Sequence, residues 1–258
     1  MARLGTLAKM VANKKLNNVA EDFVNDLIYT IEAEDRDSIR VPSKSFKPSG
    51  ISGCIRGLYY QLNGAEVDGI SDGVNLIGIC ESGTDRHERI QNYVQQMQKH
   101  NVDCEWLDVG TYLEQHNIKD PQVIERVGNE TKLYSEKYNM RFMCDGLIKY
   151  KGELYILEIK TESTYKYNKH NSAWPEHILQ ATCYSMTLNV PNVIFLYEDR
   201  NTCNKKGYLV PVTPQRIEFV ENKINTVNQH LKDNTVPPRE LDKCMYCNYK
   251  EQCRKDGE

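Results

Sequence analysis

The segment RFMCDGLIKYKGELYILEIKTES, residues 141–163, constrains this chain more than any other. Two extended, period-two runs meet at Lys151-Gly152, and a short glycine-containing connection between such runs signals a β-hairpin. With those two residues as the loop, Tyr150 faces Glu153, and counting outward sets Asp145 opposite Glu158. Directly opposed residues lie about 4.5–5.5 Å apart, so both carboxylates converge on one face. Lys160, two residues beyond Glu158, points to the same face. A one-residue slip in register would undo the arrangement.

Carboxylates that close repel each other, and one pKa rises unless a cation lies between them. A hard divalent ion resolves the conflict, because Mg²⁺ prefers oxygen ligands. The lysine could then orient or deprotonate a water, or balance charge on a phosphate. The alternative is a solvated hairpin carrying a surface Glu–Lys pair. Against it, Glu158 and Lys160 interrupt the run LYILEI, where a buried strand favours apolar residues.

The chain around this hairpin is that of a globular protein. It has 258 residues, 40% hydrophobic and 27% charged, which excludes wholesale disorder. The net charge of −3 argues against coating nucleic acid by bulk charge and leaves room for a local basic groove. No apolar stretch approaches the roughly 20 residues of a membrane span, and MARLGTLAKMVANKK lacks the apolar region of a secretory signal. The expectation is a soluble, cytoplasmic protein without a membrane partner, encoded by a cell or a virus.

Apolar positions at helical spacing predict an amphipathic helix over about 15–33, packing on the main body through Leu16, Val19, Ala20, Phe23, Val24, Leu27 and Ile28. A Ser/Pro/Gly-rich connection then leads to Cys54-Ile-Arg56. A second helix is predicted from Val74 to about Lys99, strands over 130–161, and a helix over 175–188. Two short strands follow at 193–197 and 208–212. The last helix starts at Thr213-Pro214, a hydroxyl N-cap with proline at the first helical position, and ends near Asp233. This order predicts an α/β fold, a sheet with helices on its faces. It reads as one domain, with an N-terminal helical segment (1–45), a core (46–235) and a C-terminal tail (236–258).

Nine cysteines, an odd number, do not form a secreted disulfide framework. Cys244, Cys247 and Cys253 fall within the ten residues CMYCNYKEQC, a clustering that suggests a metal centre. Zinc and an iron–sulfur cluster compete for such a set, although structural zinc commonly uses two paired knuckles. Cys80, Cys104, Cys144, Cys183 and Cys203 read as ordinary thiols.

Flanking helices carry further polar residues. His87 lies on the second helix with Gln91 one turn on, and Gln180 and Tyr184 share a face of the 175–188 helix. A glutamine can hold a phosphate or base edge, and a tyrosine can stack on a base. Each alone is more often packing or solvated surface. The basic, aromatic-interleaved stretch TYKYNKHN (164–171) and Lys205-Lys206 are candidates for guiding a nucleic-acid strand, or for a solvated loop.

Taken together, His87, Asp145, the Glu158-Ile159-Lys160 triplet and Gln180-x-x-x-Tyr184 resemble the motif order of RecB-type nucleases in the PD-(D/E)XK superfamily. Cys54 near Arg56, with the C-terminal trio, resembles that family's iron–sulfur branch, which includes CRISPR-associated RecB-type exonucleases and the AddB nuclease domain. The resemblance covers about residues 46–253; the proline that usually precedes the first Asp is replaced here by Met143-Cys144. It implies a restriction-endonuclease-like core whose terminal segments are joined by a cysteine-ligated cluster. His87, Asp145, Glu158 and the Ile159 carbonyl would hold Mg²⁺ or Mn²⁺, and Lys160 would be the catalytic lysine, with Gln180 and Tyr184 supporting the site. Cys54, Cys244, Cys247 and Cys253 would ligate a [4Fe–4S] cluster, with Zn²⁺ the alternative. Arg56, Lys166, Lys169, Gln180 and Tyr184 would contact DNA. The implied activity is a metal-dependent DNA exonuclease acting on single strands or ends, alongside a recombination, replication or CRISPR-adaptation protein partner. The rival readings are a non-catalytic scaffold binding DNA ends or a partner, and an endonuclease on the same fold.

Overall fold

The computed structural model describes residues 2–37, 43–68, 73–240, 244 and 247–257. The chain forms two compact units, Met1–Val41 with Gly69–Ser82, and Pro42–Asp68 with Gly83–Glu258. The first holds helix α1 (Ala2–Asp37) and the start of α3 (Val74–Gln96). Helix α1 extends beyond the expected 15–33 at both ends. Val19, Phe23, Val24 and Leu27 of its apolar stripe are exposed.

The second unit carries the remaining helices, α2 (Ile55–Asn63), α4 (Val109–Gln115), α5 (Thr164–Tyr167), α6 (Pro175–Leu188), α7 (Pro214–Asp233) and α8 (Lys250–Lys255). Its strands are β1 (Cys104–Leu107), β2 (Gln122–Val127), β3 (Glu130–Ser135), β4 (Met140–Phe142), β5 (Gly146–Tyr150), β6 (Glu153–Glu162), β7 (Asn192–Asp199) and β8 (Lys205–Pro211). The main sheet has the order β1-β5-β6-β7-β8, and β2-β3-β4 form a second, antiparallel sheet. In the main sheet β6 and β7 run parallel and the other neighbours antiparallel. A parallel pair needs a crossover connection, and α5 and α6 supply it. This is an α/β architecture with a mixed central sheet flanked by helices.

Strand β6 is the centre of the sheet because its middle can be buried on both faces. Ile156, Leu157 and Ile159 are all buried. Alternation sends Ile156 and Glu158 toward a large core with Ala181 and Tyr184 of α6 and Val220 and Ile224 of α7. Leu157 and Ile159 point the other way, into a smaller core with Ile90 of α3 and Ile148 of β5. The hairpin register is the expected one, with Tyr150 paired to Glu153 and Gly146 to Leu157. Asp145 therefore falls one residue beyond the ladder, level with Glu158.

Helices α6 and α7 have the predicted bounds, each with proline in its first turn. Elements α2, β1, α4, β2, α5 and α8 were not expected. Helix α2 is set by its ends: Cys54 accepts from the Gly57 N–H as N-cap, and Gly64 takes the left-handed C-cap at φ 77°.

Gly146, beside Asp145, is needed for a different reason. A Cβ there would lie 2.5 Å from the Cη2 of Trp106 and 2.7 Å from its Cζ3. Gly146→Ala should displace the indole or the strand and cost about 1–3 kcal/mol, as overpacking does. A melting temperature equal to wild type would show that the indole moves freely.

Candidate active site

Helix α3 brings His87 to the end of the hairpin, where its Nδ1 lies 3.2 Å from Asp145 Oδ1. The other Asp145 oxygen accepts the Ile159 backbone N–H at 2.6 Å, fixing the carboxylate against β6. One turn on from His87, buried Gln91 donates to the Asp145 carbonyl at 2.8 Å and to Glu130 Oε1 at 2.9 Å. Donor atoms of His87, Glu130 and Asp145 lie within 4.8 Å of one another, a group able to hold a metal ion.

Glu158 stands beside this group and is 1% exposed. Its Oε1 meets Lys160 Nζ at 2.7 Å, while Oε2 is buried with no hydrogen-bond donor among the described residues. Such an oxygen carries a desolvation cost that a cation would offset. Burial, reinforced by the Asp145 charge, pushes the Glu158 carboxyl up to about 7. Burial and then Asp145 also raise Glu130. At His87 burial opposes protonation, yet the Asp145 hydrogen bond and charge outweigh it and raise the pKa. These shifts describe excess negative charge in a confined place, and a divalent ion with oxygen and imidazole ligands relieves it.

From Lys160 the network continues into α6. Lys160 Nζ donates to Gln180 Oε1 at 3.0 Å, and Gln180 Nε2 donates to the Tyr184 hydroxyl at 2.7 Å. The i, i+4 spacing of Gln180 and Tyr184 makes this relay possible. His87, Asp145, Glu158, Lys160, Gln180 and Tyr184 are thus brought together. The Ile159 residue is present through its N–H. Glu130 was not anticipated, and nothing local marks it among the 36 acidic residues. Only the folding of the β2-β3 turn against α3 brings it in.

The residues expected to touch DNA fare differently. Tyr184 is 4% exposed, its ring stacked 5.5 Å from that of Phe142, so it cannot stack on a base. Arg56 is 2% exposed and turns inward: it donates to the carbonyls of Pro237 at 2.5 Å and Gly257 at 2.7 Å. It is a tie for the C-terminal tail, not a surface cation. Lys206 likewise donates to the carbonyls of Tyr167 and His170, and Lys205 pairs with Glu198 at 2.9 Å. Lys166, in α5, and Lys169, just after it, remain exposed, and the chain that follows is anchored by His170 Nε2 and Trp174 Nε1, each 2.8 Å from buried Glu162.

Cys54, Cys244, Cys247 and Cys253 all line one cavity of about 450 Å³. The bare Gly57 lets two of them approach, since a Cβ there would lie 3.3 Å from Cys54 Sγ and 4.0 Å from Cys247 Sγ. Arg56 Nη1 lies 3.5 Å from Cys253 Sγ. Asp68 accepts the first N–H groups of α8, at 2.6 Å from Lys250 N, and so seats the helix that carries Cys253. Burial raises the Cys54 thiol, against the lowering effect of the Gly57 N–H. Of the other five cysteines, Cys104, Cys144 and Cys183 are buried and Cys80 and Cys203 exposed.

No family model and no curated relative matches the chain. Among solved structures it is similar to SSO0001, at 13% identity over 90% of this chain and 96% of that one, TM-score 0.47. It is also similar to the alkaline exonuclease LHK-Exo from Laribacter hongkongensis, at 15% identity over 75% of this chain and 90% of that one, TM-score 0.45. LHK-Exo in complex with dAMP gives 15% identity and a TM-score of 0.47, with the same coverage. No helix among the described residues is long and apolar enough to cross a membrane.

Proposed function

We propose that this chain is a metal-dependent deoxyribonuclease of the RecB-type PD-(D/E)XK class, hydrolysing phosphodiester bonds from DNA ends. The observation that carries this reading is the convergence of His87, Glu130 and Asp145 beside a buried Glu158 whose second oxygen has no donor among the described residues. Those donors suit Mg²⁺ or Mn²⁺, which would polarise the scissile phosphate and supply the attacking water. Lys160, anchored between Glu158 and Gln180, is held ready to meet charge developing on a phosphate oxygen. Exposed Lys166 and Lys169 border the outgoing strand. Linear DNA labelled at one end should be shortened progressively with Mg²⁺ or Mn²⁺ and left intact in excess EDTA, while closed circles resist. Cutting of circles would replace the exonuclease reading with an endonuclease, and inert linear DNA would favour the non-catalytic scaffold.

The same proposal includes a [4Fe–4S] cluster on Cys54, Cys244, Cys247 and Cys253. Four thiols lining one cavity support a shared metal centre, and the resemblance to the iron–sulfur branch, together with the absence of paired knuckles in the sequence, favours the cluster over zinc. The role is a staple between α2 and the tail. Protein purified without air should be brown and carry about four irons per chain. Colourless protein with about one zinc would replace the cluster by zinc and leave the nuclease reading untouched.

A further inference from the structure

A second cavity, of about 230 Å³, shares Glu130 with the metal-binding group. We propose that it receives one nucleobase of the DNA end, stacked on Trp106, beside the phosphate under attack. The inference rests on the nuclease reading and adds a base-binding subsite to it.

The cavity is contiguous with the candidate metal site through shared residues. Glu130 belongs to both, and Cys144 and Gly146, on either side of Asp145, form part of the wall. Helix α3 links the two places as well. His87, Gln91 and Gln95 recur at i, i+4 and i+8 on one face, about 12 Å along the axis. The first touches Asp145, the second holds Glu130, and the third lines the cavity.

The lining fits a neutral planar ring better than a second phosphate. Its cation, Arg126, is already committed to Asp108 through two hydrogen bonds, Nε to Oδ2 at 3.1 Å and Nη2 to Oδ1 at 3.0 Å. With Glu130 also in the wall, the lining has no surplus positive charge for an anion. It offers instead an indole packed against bare Gly146, the side-chain amide of Gln95, and the carboxamide oxygen of Asn129, whose Nδ2 donates to Asn92 at 3.0 Å. Aromatic faces stack bases of any sequence, and amides can reach base edges. The volume is below that of most drug-sized ligand sites, which suits one heterocycle and not two.

The chain contains two tryptophans, Trp106 and Trp174, so fluorescence can report on the cavity. A deoxynucleoside monophosphate titrated into protein in EDTA should quench the emission saturably in wild type and in Trp174→Phe. The quench should vanish in Trp106→Phe, and deoxyribose 5-phosphate, which lacks a base, should produce none. Gln95→Phe keeps the indole and fills the space, so the nucleotide should bind at least about tenfold more weakly. That variant also carries the test if Trp106→Phe does not fold. Quenching by the base-free sugar phosphate, quenching retained in Trp106→Phe, or unchanged affinity in Gln95→Phe would overturn the subsite. Because the titration needs no cleavage, it separates from the nuclease reading. Cleavage without quenching removes the subsite alone, and quenching without cleavage supports the subsite while removing the nuclease.

Discussion

Lys160→Ala is expected to lower DNA cleavage by about 10²-fold or more while the protein stays folded. Single groups that stabilise a transition state are often worth that much. The geometry adds a second effect at this position. Lys160 Nζ is the hydrogen-bond partner of Glu158 Oε1 at 2.7 Å, and Glu158 is 1% exposed. Its carboxyl already sits near pH 7, and taking away the ammonium removes a group that lowers it. Protonated, Glu158 is a poorer metal ligand, so the variant loses the lysine and weakens the ion together. Asp145→Ala should be as severe, since one oxygen holds His87 and the other the Ile159 N–H. Glu158→Ala should match them. Initial rates on end-labelled DNA, paired with melting curves, give the comparison. Near-normal rates in any of the three would remove that residue from the site.

Arg56→Ala should produce the largest loss of stability. Its guanidinium is buried and holds the carbonyls of Pro237 and Gly257, at opposite ends of the tail that carries three of the four clustered cysteines. Hydrogen bonds from a charged donor contribute about 1.5–3 kcal/mol each, and the variant strands both acceptors. A loss of roughly 3 kcal/mol or more is expected, with the tail becoming sensitive to protease before the core. Lysine should rescue only in part, because an ammonium cannot reproduce the fork. A variant as stable as wild type, with its tail still protected, would mean that Arg56 is not the tie.

How much of this was legible in the sequence follows from how local each signal is. The hairpin register needed only the Lys151-Gly152 turn and period-two alternation, and it set Asp145 level with Glu158. Helices α6 and α7 announced themselves through proline in the first turn and sustained periodicity. Strand β1, four residues long, and α4, seven, are too short to show a period. Glu130 belongs to the site through a turn packing on α3, which no spacing encodes. Arg56, which the family resemblance assigned to DNA, is instead buried by the returning tail, a long-range contact that no local spacing encodes. Tyr184 was half right: its i, i+4 spacing to Gln180 is used, but for a buried hydrogen bond and not for stacking on a base.

The central claim is that His87, Glu130 and Asp145, with Glu158 beside them, form a divalent-cation site. Titration of Mn²⁺ into metal-free protein, followed by the loss of the free-ion paramagnetic resonance signal, tests it without DNA. Wild type should bind one or two ions, and Asp145→Ala should bind at least about tenfold more weakly, because a carboxylate at the centre of the group is gone. Equal Mn²⁺ affinity in wild type and in Asp145→Ala would contradict it.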